Sequence, residues 1–361
     1  MYHILSHFGI ETFRKITCKI FKQIIEYNQG IHWSWRKNGM VSIKDIAKKA
    51  GVSISTVSYA LNGSPKVTEK TSKKILEIAK ELNYVPNAAA RTLKNRASNI
   101  IGAFMPDYGG PFFGDLLRGM RKTFNQHGYD LIACTGKESH RFLPEGIIDG
   151  AVILDWNFPD EEILRYAELG NKIVVLDREL HHSNIELVLL DNQTGTELAI
   201  NYLIENKQQN LILLTGPGGN FDSQQRLQAA VAILQKHPSI NYTIYSGDFS
   251  QSFGKDIVNE IVEKSMTPTA IFSFNDTMAV GLYQGFKKTS YKIGQDIQII
   301  GFDNTEVAQY LQPPLTTINY SKDEWGSMAA EQLIQLLNGK TTQPHTIPVC
   351  LLERESVRTN K

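Results

Sequence analysis

Seven positions along the chain sit where side chains commonly meet ligands. Asp107, Asp177, Asp191, Gly216, Asn275, Asp276 and Asp303 each follow a short apolar run of strand character. Most of them are carboxylates or amides, and Tyr108, Phe112, Phe113 and Phe249 stand close by as flat apolar partners. Hydrogen-bond acceptors beside aromatic faces suit a neutral polyhydroxylated ligand such as a sugar. A lone aspartate at a strand end is more often a turn cap, so the signal lies in the set. Arg226, early in a helix expected to begin near Phe221, is either a surface arginine or a cleft residue that reaches the ligand.

Catalytic signatures are missing. Gly216-Pro-Gly-Gly219 follows a strand but has neither the Gly-Lys-Ser/Thr ending of a phosphate loop nor Gly-x-Gly-x-x-Gly spacing, so it reads as a turn. No nucleophile elbow, His-Glu-x-x-His pair or kinase signature occurs. Cys18, Cys134 and Cys350 are far apart, and no Cys/His pair has metal-ligand spacing. That pattern fits a reducing compartment and argues against a disulfide scaffold or a zinc site; no metal or cofactor is expected. His181-His182 falls in an expected loop and reads as solvent-facing.

A second chemistry belongs to residues 40–63. Ile43, Ile46, Ala47 and Ala50 recur at helical spacing, opposite Lys44, Asp45, Lys48 and Lys49. Gly51 stands where that helix must stop. Ser53 is an N-cap for a second helix whose inner face is Val57, Ala60 and Leu61. Ile54, Ser55, Thr56, Ser58 and Tyr59 remain on its outer, N-terminal surface. A helix-turn-helix presents such a helix to the DNA major groove. From these residues alone, a plain helical hairpin is an equal alternative. Thr68 can cap a third helix over roughly 69–83, with Ile75, Ile78, Ala79 and Leu82 inward, ended by Pro86. The alanine-rich stretch from Asn87 is too short to be a stable helix alone. Folded on DNA, it would offer Leu93 as an apolar wedge and Arg91 and Lys94 to phosphates; otherwise it is a linker.

Charge supports a polyanion partner for the head. Residues 40–96 hold eleven Lys and Arg against four Asp and Glu, net +7, which leaves −6 for the rest of a chain of net charge +1. Hydrophobic content of 42% over 361 residues leaves ample core for two or three domains. No apolar run reaches membrane-spanning length, and Glu11, Arg14, Lys15, Lys19 and Lys22 break up any signal-peptide core. Residues 1–39 contain an amphipathic pattern (Phe13, Ile16, Ile20, Ile24) that suits a membrane-surface helix or an extra DNA-binding arm. The preferred expectation is that Met40 is the true start and that residues 1–39 are a non-native or disordered extension.

From Ser98 onward strands and helices alternate. Strand-like runs are expected at 100–105, 129–134, 147–154, 172–176, 187–190, 210–214, 243–245, 270–274, 298–300 and 316–318, with helices such as 113–127 and 194–205 between them. Alternation implies parallel sheets in an α/β body, and ten strands suit two lobes. Ligands of such sheets bind beyond the carboxyl ends of the strands.

Together these features resemble the lactose/galactose repressor (LacI/GalR) family of transcription regulators. The resemblance runs from 41 to 361 and is most specific in the head: Ile43-Lys-Asp-Ile-Ala-x-x-Ala-Gly-Val-Ser, then Thr56-Val-Ser, Leu61-Asn-Gly63, and Leu82-Asn-Tyr-x-Pro-Asn-Ala-x-Ala-Arg-x-Leu93. The body adds Asp177-Arg178, Phe274-Asn-Asp276, Gly301-Phe-Asp303 and Pro314-Leu-Thr-Thr317. The resemblance implies an all-α helix-turn-helix domain at 40–85, a hinge helix or linker at 86–98, and a periplasmic-binding-protein-like body at 99–361 for effector binding and dimerisation. Lobe 1 would be about 99–206 and 322–341, and lobe 2 about 207–321 and 342–361. It implies a cytoplasmic, nucleoid-associated bacterial homodimer on a palindromic double-stranded operator, repressing carbohydrate-utilisation genes under a sugar or sugar-phosphate effector. Base reading would fall to Ile54, Ser55 and Tyr59, and phosphate contacts to Thr56, Ser58 and Asn62. Arg91, Leu93 and Lys94 would enter the minor groove. Effector contacts would be Asp107, Phe112, Phe113, Asp191, Arg226, Phe249, Asn275 and Asp303, with Asp303 and Arg226 foremost.

Three features depart from the family pattern. Tyr59 replaces a common Arg or His and lacks the bidentate guanine fork. Gly109-Gly110 replaces a polar pair, and the interval Thr135–Gly146 is about a dozen residues short, so a first-lobe helix must be curtailed. Co-repression by a purine or a phosphocarrier protein is the alternative control. A sugar-active enzyme and a nonspecific nucleoid protein are the rival classes. No leucine-heptad tail follows Leu352, so tetramers are not expected.

Overall fold

A computed structural model describes residues 41–85, 97–109, 112–264, 269–340 and 343–358. Residues 1–39, and the hinge residues Arg91, Leu93 and Lys94, lie outside the described residues. The chain divides into two compact units.

Among the described residues, the first unit has three helices: α1 (Ile43–Ala50), α2 (Ile54–Leu61) and α3 (Glu69–Glu81). Each begins at a residue whose side chain or neighbour satisfies the free N–H groups of a helix start. The Asp45 carboxylate accepts from Ser42 N and Oγ at 2.8 and 2.7 Å, Ser53 Oγ accepts from Thr56 N at 3.1 Å, and Thr68 Oγ1 accepts from Thr71 N at 3.4 Å. Gly51 closes α1 at φ +71°, a conformation glycine adopts without strain. Ile46, Ala47, Ala50, Val57, Ala60, Ile75, Ile78 and Ala79 form the core. Helix α3 stops at Glu81, two residues before the expected end, with Asn83 left-handed at φ +50°.

The second unit runs β1 (Ile100–Phe104), α4 (Phe112–Gln126), β2 (Asp130–Cys134), β3 (Gly150–Ile153), α5 (Asp160–Glu168), β4 (Lys172–Val175), β5 (Ile185–Leu190), α6 (Asn192–Glu205) and β6 (Asn210–Thr215). It continues through α7 (Phe221–Leu234), β7 (Asn241–Ser246), α8 (Gln251–Asp256), α9 (Val258–Lys264), β8 (Thr269–Ser273), α10 (Asp276–Phe286) and β9 (Ile297–Phe302). It ends with β10 (Thr316–Asn319), α11 (Lys322–Leu337), β11 (His345–Ile347) and β12 (Cys350–Leu352). Two six-stranded sheets result, in the orders β11-β5-β4-β3-β1-β2 and β12-β10-β9-β8-β6-β7. The ladders are parallel except for β12, which runs antiparallel to β10.

Two expectations need correction. The strands number twelve among the described residues, not ten, because β11 and β12 are three residues each and too short for a periodic signal. The lobe boundaries also move. Helix α6 packs on α7 and on strands of the second sheet, so the first crossover lies at Asp191, not after residue 206. Strand β11 pairs with β5 and β12 with β10, so the last crossover falls at 348–349, not before 342. A boundary placed by helix count misses this, because a helix declares its partner only through packing. Between β2 and β3 the short interval folds as a 3₁₀ turn (Lys137–Phe142).

Helix α11 returns the chain to the first lobe and packs closely on α4. A Cβ on Gly119 would lie 2.0 Å from the Asp323 carbonyl oxygen, and one on Gly326 2.0 Å from that of Leu116. Neither position accommodates a methyl group without backbone movement. Gly119→Ala is expected to destabilise the second unit by about 1–3 kcal/mol, read as a lower urea midpoint.

Candidate functional site

Helix α2 buries Val57 and Ala60 and leaves Ile54 and Tyr59 exposed, with Ser55 beside them. Ser53 Oγ lies 2.8 Å from both Ser55 Oγ and Thr56 Oγ1, so one cap residue fixes two hydroxyls at the start of the helix. Asn62 Nδ2 donates to the Ser58 carbonyl at 2.7 Å. The Lys66 ammonium stands 5.2 Å from the Tyr59 ring centroid. The exposed surface is therefore an isoleucine, two hydroxyls and a phenol, flanked by a cation.

The second unit holds a cavity of about 350 Å³ at the carboxyl ends of strands from both sheets. Asp107, Phe112 and Phe113 reach it from the first lobe. Arg226, Phe249, Asn275 and Asp303 reach it from the second. Asp191, the eighth expected contact, does not line it. Its carboxylate accepts the Thr194 N–H at 3.0 Å and caps α6. Of the other strand-end aspartates, Asp177 pairs with Arg178 at 3.0 Å and Asp276 is fully buried behind the cavity.

Arg226 is 4% exposed, and its guanidinium lies 3.6 Å from the Phe302 ring centroid. Nε donates to Asn192 Oδ1 at 2.8 Å and Nη1 to the Phe274 carbonyl. Asn192 Nδ2 in turn donates to Asp222 Oδ1 at 2.7 Å. Tyr320 Oη donates to Asp303 Oδ1 at 2.8 Å, and Lys322 Nζ to the Asp303 carbonyl. Burial raises the Asp303 and Asp222 carboxyls above the ordinary range, against the pull of Arg226 on both. Asp303 has φ +112° and Phe249 φ +66°, strained values for side-chain-bearing residues. The Phe249 ring occupies the space over Gly216, where a Cβ would lie 2.2 Å from it. Asn275 Nδ2 holds the Phe249 carbonyl at 3.0 Å while its Oδ1 caps α10 through Met278 N. The cavity thus offers fixed acceptors, one fixed cation and several ring faces.

Family comparison places both units. Residues 42–87 match the model for bacterial regulatory proteins of the lacI family, and residues 200–357 match a periplasmic binding protein-like domain. The chain is 32% identical over 333 residues to the ribose operon repressor of Escherichia coli (strain K12), covering 88% of this chain and 100% of that one. The PurR transcriptional repressor of Vibrio parahaemolyticus is 33% identical over 313 residues, covering 83% of this chain and 93% of its own. A sugar-binding LacI-family regulator from Enterococcus faecalis superposes with TM-score 0.69 at 44% identity, over 72% of this chain and 97% of that one. The chain belongs to the lacI family of bacterial regulatory proteins.

As a lacI-family member it is a DNA-binding transcriptional regulator. Its cavity has walls that sequence reasoning missed. Asp222 lies one helical turn before Arg226 on α7 and could have been found by that spacing. Tyr320 follows β10 directly, as the other strand-end residues follow theirs. Trp325 gave no signal, because its role depends on α11 docking on the first sheet, where Nε1 donates to the Val188 carbonyl at 2.8 Å.

Asp276 underlies the regulator's site. It accepts from Thr317 Oγ1 at 2.6 Å and from Thr305 N at 2.7 Å. Burial, followed by the neighbouring Asp303 charge, pushes its carboxyl up to about 7 from an ordinary 3.8. A carboxyl raised in the folded state holds its proton more tightly there than in the unfolded chain, so its ionisation erodes stability as pH climbs from about 4 to about 7. Asp276→Asn is expected to remove this part of the slope, at most about 4 kcal/mol. Melting temperatures from about pH 4 to about pH 8 measure it.

Proposed function

We propose that the protein is a cytoplasmic, homodimeric repressor of carbohydrate-utilisation genes, and that a neutral sugar in the 350 Å³ cavity shifts its affinity for a palindromic operator. The lining carries the reading. Asp107, Asp222, Asp248 and Asp303 are carboxylates, and Arg226 is the one cation among the described lining residues. Four acceptors against one buried guanidinium repel a phosphate group and bind hydroxyls. Phe112, Phe113 and Phe249 supply faces for the C–H side of a sugar ring. The similarity to a ribose operon repressor makes ribose the first sugar to test. The sugar-phosphate alternative fits this lining poorly.

In the head, Ile54, Ser55 and Tyr59 are proposed to read bases, and Thr56, Ser58 and Asn62 to hold phosphates. Arg91, Leu93 and Lys94 are proposed to enter the minor groove. The protein is read as a binding protein without turnover, in line with relatives that are repressors. Coupling is reciprocal: a sugar that weakens operator binding binds more weakly to the operator-bound form.

Fluorescence anisotropy on the palindromic DNA beside its own gene, with random DNA as control, tests this. Specific binding altered by ribose or another neutral sugar is the expected result. Equal binding to both DNAs would remove the operator reading, and a response only to a purine or to phosphocarrier protein would replace the sugar. Asp303→Ala should keep operator affinity and weaken the sugar response about 10–100-fold, the loss of one or two hydrogen bonds to a charged acceptor.

A further inference from the structure

Helix α2 presents the exposed face of the head but carries no cation: its eight residues run Ile54-Ser-Thr-Val-Ser-Tyr-Ala-Leu61. Several lysines of the head are engaged away from it. Among the described residues, Lys49 pairs with Glu81 at 2.7 Å, Lys73 pairs with Glu69 at 2.8 Å, and Lys74 Nζ donates to the Ala50 carbonyl at 3.2 Å. Lys66 is brought to α2 instead, with its ammonium 5.2 Å from the Tyr59 ring centroid.

The loop between α2 and α3 is built to bring it there. Ser64 N donates to the Tyr59 carbonyl at 2.9 Å and Gly63 N to the Ala60 carbonyl at 3.1 Å, with Gly63 left-handed at φ +65°. Pro65 then fixes the next φ, and Val67 N returns to the Ser64 carbonyl at 3.4 Å. Lys66 therefore leaves a short, pinned loop. The residue that pins the start of that loop is the one whose ring meets the ammonium.

Both side chains are exposed, Tyr59 at 38%. An exposed ammonium–ring contact adds little to stability. It does narrow the conformations of a long, flexible side chain, which lowers the entropy lost when that chain is fixed on a ligand. A lysine ammonium held in this way can donate to both O6 and N7 of a guanine. The Tyr59 hydroxyl, with one proton, cannot.

We propose that Lys66, positioned by the Tyr59 ring, is a specificity-determining residue that reads a guanine in each operator half-site. The proposal rests on the assignment of Tyr59 to base reading. It puts the guanine-reading cation outside the second helix of the motif, in the loop that follows it.

Selection of duplexes from a random-sequence pool with the full chain, followed by anisotropy on the selected duplex and on a random one, tests it. The selected half-site should contain a guanine at which 7-deazaguanine, which lacks the N7 acceptor, weakens binding about tenfold. Lys66→Met keeps the stem and removes the charge. It should lose about tenfold on the selected duplex, far less on the random one, and should be indifferent to 7-deazaguanine at that position. Lys66→Arg should restore the guanine preference, Tyr59→Phe should retain it because the ring remains, and Tyr59→Leu should weaken it. A selected half-site without such a guanine overturns the proposal. So does a Lys66→Met variant that loses the same factor on both duplexes while its salt dependence falls by about one phosphate contact; Tyr59 then still stands as a base reader. Selected sequences that Tyr59→Leu leaves unchanged at every position overturn the Tyr59 assignment and the proposal with it.

Discussion

The inner face of the second lobe is arranged around one buried cation. Removing a guanidinium from water costs several kcal/mol unless its donors and charge are satisfied. Arg226 meets that cost with the Phe302 ring, the Asn192 side chain and the Phe274 carbonyl, and it faces the Asp222 and Asp303 carboxylates. Those partners come from β9, from the start of α6 and from the end of β8. One side chain thus joins three elements and the crossover at Asp191. Because α6 begins at that crossover, the residue that orients the cation also marks where the chain changes lobe.

Around this cation the second lobe's contribution is preorganised. Phe249 and Asp303 hold left-handed φ values, strain that surrounding bonds must stabilise. Asn275 anchors the first, and Tyr320 and Lys322 the second. Tyr320 and Lys322 flank the crossover from β10 into α11, and α11 docks on α4, which starts at Phe112. A continuous set of contacts runs from the Asp303 backbone to the aromatic pair of the first lobe.

Much of this was legible in sequence, for identifiable reasons. Strands buried on both faces read as apolar runs, and the residue after each run is a strand end, so Asp107, Asn275 and Asp303 stood out. Capping chemistry made the head readable: Ser53, Gly51 and Thr68 are local signals. Long-range packing was not legible. Asp191 has the same sequence setting as Asp303, yet it caps α6, and nothing local separates the two. Trp325 and Trp156 emerge as cavity walls only when α11 and the turn after β3 are placed in space. The lobe boundary failed for the same reason, since α6 follows a first-lobe strand but packs on the second.

We propose that this constellation selects neutral hydroxyl-bearing ligands. Calorimetric titration of the chain with each sugar that alters operator binding, beside the phosphate ester of the same sugar, tests it directly. The expected result is measurable binding of the neutral sugar, with the ester on the order of 100-fold weaker because the cavity's carboxylates repel it. An ester that binds as tightly as its parent sugar, or more tightly, would contradict it.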